Sequence, residues 1–396
     1  MRWWMIVGLA LLVGCGDGGD ESEVDAAAGD ATVADQGMVD AGPPAGDGLP
    51  PGCSEADPAA CLYLPAARYE HQVQTFEDLT YTDVIGAERT VRIAVYRPQG
   101  APTPMPVVLL SHGGSGGSVR PLNSLEDWAA RLAAAGYLAV GIAHEGRDEA
   151  SYAAVCAALN VPVVAGFQCG IKVHWDRPPD VGRVIDWLEA QAAGGPLDGQ
   201  VDLTRIAHLG HSAGGGAATM VAGATRSFVC AQPYGMDQGS LVPCDEADLV
   251  SAREPRLKAV VAMSPQGPGT EGFLDASFAS VGVPMLMATG AADGDPGEPA
   301  TRSAIFDNLP TSADGQGFLR LYLDDPGAKH TLFAGSVDAC TPIAGAERCQ
   351  TMRSWVFSLG LAFLDRELRG SAEAAAWLAS EAIVIAGGGT SSLSRR

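Results

Sequence analysis

The stretch Arg205-Ile-Ala-His-Leu-Gly-His-Ser-Ala-Gly-Gly-Gly-Ala-Ala-Thr-Met220 decides how this chain is read. Its first half is a short apolar run suited to a buried strand. Its second half is small, compatible with a helix and free of proline. Between them stands Gly210-His211-Ser212-Ala213-Gly214, a G-x-S-x-G pattern. A strand that runs straight into a helix through a sharp turn presents the central serine as a nucleophile, provided its neighbours are small. The pattern alone is weak in a chain with 50 glycines, and it recurs at Gly113-Gly114-Ser115-Gly116-Gly117. Ser115 is followed by more glycine and by Pro121 instead of a helix, so Ser212 is the better candidate.

Outward from this turn, short apolar runs alternate with helical periodicity from residue 67 onward. Strands are expected at Thr90–Arg97, Pro106–Ser111, Tyr137–Ala143, Arg205–Gly210, Leu257–Ser264, Pro284–Gly290 and Phe318–Leu323. Several of these are continuous β-rich runs, as strands buried on both faces require. Leu125, Trp128 and Leu132 share one helical face, as do Val181, Val184, Ile185 and Leu188, and later Met352, Trp355, Val356, Leu359 and Phe363. Asp180 and Thr351 suit helix starts near these segments. The alternation predicts an α/β fold with a mostly parallel central sheet and helices on both faces. No linker interrupts it, so residues 67–386 are expected to form one domain. Residues 387–396 are Gly/Ser-rich and are expected to form a flexible tail. The segment Arg226–Glu254 is too long for a simple connection and is expected to be a disulfide-closed excursion after the elbow helix.

A serine nucleophile needs a base, a carboxylate that orients the base, and donors for the oxyanion. Of the 7 histidines only His330 follows Ser212, which makes the order Ser…Asp…His sharp. The carboxylate is expected just past Pro284–Gly290, where Asp293 is the choice and Asp295 the alternative. The run Asp293-Gly-Asp-Pro-Gly-Glu298 lacks the spacing of an EF-hand calcium loop. His112-Gly113-Gly114 follows an early buried strand, where a close backbone approach is useful. The Gly114 and Ala213 amides are therefore the expected oxyanion donors. This chemistry requires neither a cofactor nor a metal.

The N-terminus carries a different message. Arg2 precedes an apolar stretch from Trp3 to Val13, too short to span a bilayer but right for a secretory signal. Leu12-Val13-Gly14-Cys15 resembles the bacterial lipobox, in which the thiol of the cysteine receives a lipid. The resemblance implies a signal peptide at 1–14, lipidation of Cys15, and attachment to a membrane of the bacterial cell envelope. Gly16 replaces the aspartate of inner-membrane retention, which implies the outer membrane and leaves the leaflet open. Residues 15–66 are expected to be an acidic disordered tether. Eleven of the 47 acidic residues and one of the 25 basic ones precede residue 67, which leaves −12 of the total −22 for the remainder. Neither figure suits a nucleic-acid partner. Of the 9 cysteines, eight remain after Cys15, and small loops favour the pairs Cys53-Cys61, Cys156-Cys169, Cys230-Cys244 and Cys340-Cys349. Their number suits an oxidising compartment, and their spacing is not that of a zinc site.

With these motifs placed, the chain resembles the serine α/β-hydrolase superfamily. Within it the likeness is to the group of platelet-activating-factor acetylhydrolases and predicted dienelactone hydrolases. The segments that carry it are Pro106–Gly114, Leu132–His144, Gly210–Gly214 and Lys329–Phe333, within a match over roughly residues 75–370. The resemblance implies an α/β-hydrolase fold and hydrolysis of carboxylic esters, small or polymeric, through an acyl-enzyme. Two departures matter. The acetylhydrolases carry their acid after the sixth strand, where this chain has Ser264-Pro265, and dienelactone hydrolases use cysteine where this chain has Ser212. Cutinase-like polyester hydrolases are neighbours, but their aromatic oxyanion-loop residue and elbow methionine correspond to Gly114 and Ala213. A lipase or polyester hydrolase is the alternative enzyme, a thioesterase or amidase would use the same groups, and a surface binding lipoprotein that has lost catalysis is the alternative class.

Overall fold

Along Met105–Ser111, Val108 and Leu110 pack to one side while Val107 and Leu109 pack to the other, and all four are fully buried. A strand covered on both faces needs this continuous apolar run, and helices on both sides of a parallel sheet supply the cover. The structure is a computed structural model. It describes residues 48–114, 120–122, 125–159, 172–228, 245–313, 315, 317–335, 340 and 346–396.

The described chain runs β1 (His71–Thr82), β2 (Glu88–Pro98), β3 (Met105–Ser111), α1 (Glu126–Ala134), β4 (Leu138–Ala143), α2 (Glu149–Ala158), α3 (Lys172–Ala192) and β5 (Val201–His211). It continues with α4 (Ala213–Ala222), β6 (Thr225–Ser227), β7 (Leu249–Ser251), β8 (Leu257–Met263), β9 (Met285–Gly290), α5 (Glu298–Asn308) and β10 (Phe318–Leu323). Last come α6 (Ala346–Arg369), α7 (Ala372–Ala379), α8 (Ala382–Gly387) and β11 (Ser391–Arg395).

Nine strands form one sheet in the order β1-β2-β4-β3-β5-β8-β9-β10-β11. The block from β4 to β10 is parallel, and β2 and β11 run against it. The architecture is thus α/β with a mostly parallel central sheet, as the alternation of patterns predicts. Helices α1, α6, α7 and α8 cover one face, where Trp128, Trp355, Leu359, Phe363 and Trp377 meet the sheet. Helices α3, α4 and α5 cover the other through Val181, Ile185, Leu188, Val221 and Ile305. Each expected apolar stripe is the buried stripe of its helix. All seven expected strands are present, with ends shifted by at most a few residues.

Four expectations need correction. Residues 387–396 are no loose tail: Ser391–Arg395 pairs antiparallel with β10 and forms the last strand of the sheet. The folded part also begins before residue 67. Gly48 packs on Ala376, the Cys53–Cys61 disulfide closes a turn, and buried Tyr63 donates from its hydroxyl to Asp365. Asp180 and Thr351 lie inside α3 and α6, away from their starts. Strand β1, which sequence patterning misses, is a largely exposed edge with little burial to mark it.

Two of the four expected disulfides are seen, Cys53–Cys61 and Cys340–Cys349. Cys169, Cys230 and Cys244 lie outside the described residues, as do Cys15, Ser115 and the signal and tether up to residue 47. The excursion after α4 leaves and returns through the small antiparallel pair β6–β7, and the disulfide expected to close it, Cys230–Cys244, lies outside the described residues. Among the described residues no helix is long and apolar enough to cross a membrane.

Candidate active site

Strand β5 ends at His211, helix α4 begins at Ala213, and Ser212 alone makes the turn. Its backbone sits at φ 55° and ψ −119°, a left-handed conformation that is strained for a residue with a Cβ. The surroundings hold it there. Its amide donates to the Met263 carbonyl at 2.9 Å, and its carbonyl accepts from Gly216 at 2.9 Å. The flanking glycines are needed for contact. A Cβ at Gly210 would sit 1.9 Å from the Gly214 carbonyl oxygen, and one at Gly214 would sit 1.9 Å from that of Ser111. The G-x-S-x-G spacing is therefore the spacing at which β5, α4 and the end of β3 touch. Ser212 itself is partly exposed.

Beyond β3, His112-Gly113-Gly114 folds against this turn. A Cβ on Gly113 would lie 3.1 Å from the Ser212 Cβ and 2.9 Å from His211 Nδ1, so the main chain passes directly beside the serine. Ala213 opens α4, and a first-turn amide has no intrahelical acceptor. Gly114 and Ala213 thus stand on the two segments that flank Ser212.

The third and fourth elements come from β9 and β10. Asp293 follows β9 and is fully buried, while His330 follows β10 and starts a short 3₁₀ turn through Ala334. A backbone bridge between Ala292 and Lys329 holds the two loops together. His330 Nδ1 donates to Asp293 Oδ1 at 2.7 Å. The other oxygen of Asp293 accepts from the Thr289 hydroxyl at 2.7 Å, and Arg302 Nε lies 3.5 Å from Oδ1. Burial alone would raise the Asp293 carboxyl. The bond from His330, the Arg302 guanidinium and the Thr289 hydroxyl outweigh it and hold the group below the usual carboxylate range. Asp295, the alternative, is exposed and lines a surface groove with Arg320 and Tyr322.

His211 joins this pair to the elbow. Its ring lies 4.7 Å from that of His330, and its Nε2 donates to the His330 carbonyl at 3.0 Å. Burial and the neighbouring His330 push its pKa down to about 3, so it remains a neutral brace. Arg302 braces the other side, with Nη1 bonds to the carbonyls of Ser264 and Pro265 at 2.7 and 3.0 Å. Neither residue has a motif of its own. His211 could be suspected from its place in the elbow, but nothing local marks Arg302.

A second row of Ser, His and Asp lies beneath the loop. His144 Nδ1 donates to Asp180 Oδ2 at 2.9 Å, and its Nε2 accepts from Ser111 Oγ at 2.8 Å. Ser111 Oγ in turn accepts from His208 Nε2 at 2.7 Å. All four side chains are fully buried, so no substrate reaches Ser111 and this row is structural. Burial holds His144 well below its ordinary pKa and His208 at about 3, with Arg177 adding to both. Asp180 is also bonded by Arg89 twice, at 2.8 Å each, and by Tyr81 at 3.0 Å. Comparison with protein-family models and with curated proteins finds no match to this chain.

Proposed function

We propose that this protein is a serine carboxylic-ester hydrolase of the α/β-hydrolase type. The observation that carries the reading is the left-handed Ser212 between β5 and α4, with the bonded His330–Asp293 pair supplied by the ends of β9 and β10. The sheet order supports it, since β5, β8, β9 and β10 are parallel neighbours and the ends that carry Ser212, Asp293 and His330 therefore lie along one edge of the sheet.

In this mechanism Ser212 Oγ attacks the acyl carbonyl, and His330 Nε2 takes the serine proton. Asp293 accepts from Nδ1–H, which fixes the tautomer and favours the imidazolium that forms. The Gly114 and Ala213 amides receive the developing oxyanion. His330 then protonates the leaving alcohol, and water, deprotonated by His330, hydrolyses the acyl-enzyme. A lipidated Cys15 and the acidic segment after it would tether the enzyme to a membrane of the cell envelope, with small or polymeric esters as substrates. The aromatic oxyanion-loop residue of cutinase-like enzymes has no counterpart at Gly114, which favours small esters over polyesters.

The test is labelling with a fluorophosphonate followed by peptide mapping. The adduct is expected on Ser212 and is expected to vanish in Ser212→Ala, together with turnover of short-chain aryl esters. A folded wild-type protein that neither labels nor hydrolyses any ester of an acyl-chain panel would overturn the reading.

A further inference from the structure

Three consecutive carbonyls of the loop beside Ser212 are each held by a side chain. Arg177 Nη1 donates to the His112 carbonyl, and Arg177 Nη2 donates to the Gly114 carbonyl at 2.9 Å. Between them, His112 Nδ1 donates to the Gly113 carbonyl at 2.7 Å. The tautomer of His112 follows, because its Nε2 accepts from the His144 amide at 3.2 Å. In a trans peptide the carbonyl of one residue and the amide of the next point in opposite directions. Holding the carbonyls of His112 and Gly113 therefore aims the amides of Gly113 and Gly114. Glycine has the widest backbone freedom of any residue, so these amides need an external restraint to keep one direction.

The restraint is itself anchored. Arg177 is fully buried on α3, followed by Pro178 and Pro179, which have no amide to bond the preceding turn. Side chains fix that turn instead. Asp176 accepts from Arg147 twice at 2.7 Å, and Asp180 is gripped by Arg89, Tyr81 and His144. The same Asp180 leads through His144 to Ser111, the last residue before the loop. The buried row of Ser, His and Asp thus locks Ser111 at the end of β3, while Arg177 holds His112 and Gly114 just beyond it.

We propose that Arg177 is the positioning residue of the oxyanion loop: by holding the carbonyls of His112 and Gly114 it fixes the chain on both sides of the Gly113–Gly114 peptide, whose Gly114 amide then keeps its direction toward the acyl oxygen, and it places a buried positive charge beside that amide. The proposal rests on the ester-hydrolase reading. A guanidinium bridging two carbonyls is a fork that a lysine ammonium does not reproduce, so the conservative exchange is informative.

The experiment uses the full chain and compares wild type, Arg177→Lys and Arg177→Ala on a short-chain aryl ester. Loss of an oriented oxyanion donor is expected to lower kcat by about 10²–10³-fold with KM changed less than about threefold. Affinity for a trifluoromethyl ketone, which forms the tetrahedral adduct, is expected to fall in parallel with kcat/KM. Millimolar guanidinium is expected to restore part of kcat in Arg177→Ala and nothing in wild type. If Arg177→Ala does not fold, Arg177→Lys decides, with an expected loss of at least tenfold in kcat. A wild type active through Ser212 with variants of unchanged kcat and unchanged ketone affinity overturns the proposal alone. So does a kcat loss that only tracks the folded fraction measured by circular dichroism. A wild type inactive on all esters removes the underlying reading, and the proposal with it.

Discussion

Asp293 and Asp295 differ by two positions and by almost everything else. Asp293 is fully buried and bonded to His330, Thr289 and Arg302, whereas Asp295 is exposed. In the proposed mechanism the first orients the base and the second does nothing. Asp293→Asn is expected to lower kcat by about 10³–10⁴-fold, because an amide favours the wrong tautomer of the imidazole. Asp295→Asn is expected to stay within twofold of wild type. Steady-state kinetics on one soluble ester checks both, and equal effects of the two substitutions would contradict the assignment. The choice between the two aspartates was partly legible in the sequence, since both follow a strand that ends at Gly290. Burial made the decision, and burial depends on α5, which brings Arg302 across the top of β9.

At the scale of elements, the strands that sequence patterning finds are those that bury most of their residues, and several of them are uninterrupted apolar runs. Strand β11 escapes it: Ser391-Ser-Leu-Ser-Arg395 has one large apolar residue and reads as a loose end. It is held by register instead of composition. Its five residues pair one-to-one with Leu319–Leu323 of β10, and Arg395 caps the carbonyls of Leu378 and Ser380 at 2.9 and 2.7 Å. Ending the chain at Thr390 would expose the β10 edge, an open ladder that templates association. Such a truncation is expected to lower the unfolding temperature and to form concentration-dependent oligomers, seen by calorimetry and light scattering. A truncated protein that stays monomeric with an unchanged unfolding temperature would show that β11 contributes nothing. Helix α3 was legible by its stripe Val181, Val184, Ile185 and Leu188, but Pro178 and Pro179 within it argue against a helix at that point. The bonds from Asp176 and Asp180 override that local preference.

At the scale of the whole molecule, four histidines among the described residues are buried without charge. Burial and nearby cations hold His112 at about 2, His208 and His211 at about 3, and His144 well below its ordinary value. In the unfolded chain each would titrate near 6.5. Below that pH the unfolded state binds more protons than the folded one, so stability is complete above about 6.5 and declines as pH falls. Four such groups remove about 4 kcal/mol between pH 6.5 and 5.5, a large part of the stability of an ordinary domain. Urea unfolding at these two pH values is the measurement. A His208→Gln variant should lose about one quarter of the pH dependence, and a stability that is flat from pH 6.5 to 5.5 would rule out the burial of neutral histidines.

The sequence by itself determined the alternation of strand and helix, the glycine-lined elbow around Ser212, and the order in which Ser212, Asp293 and His330 occur. These are local or one-dimensional properties: apolar runs, small residues at fixed spacing, and a histidine with no competitor downstream of the serine. Only the tertiary structure decided that His330 bonds Asp293 and not Asp295, that Ser111–His144–Asp180 is sealed from solvent, and that the guanidinium of Arg177 reaches the carbonyls of His112 and Gly114. The partners in these contacts are separated by 33 to 65 residues. No periodicity encodes a pairing at that range, because it exists only once the sheet has set which strand ends lie side by side.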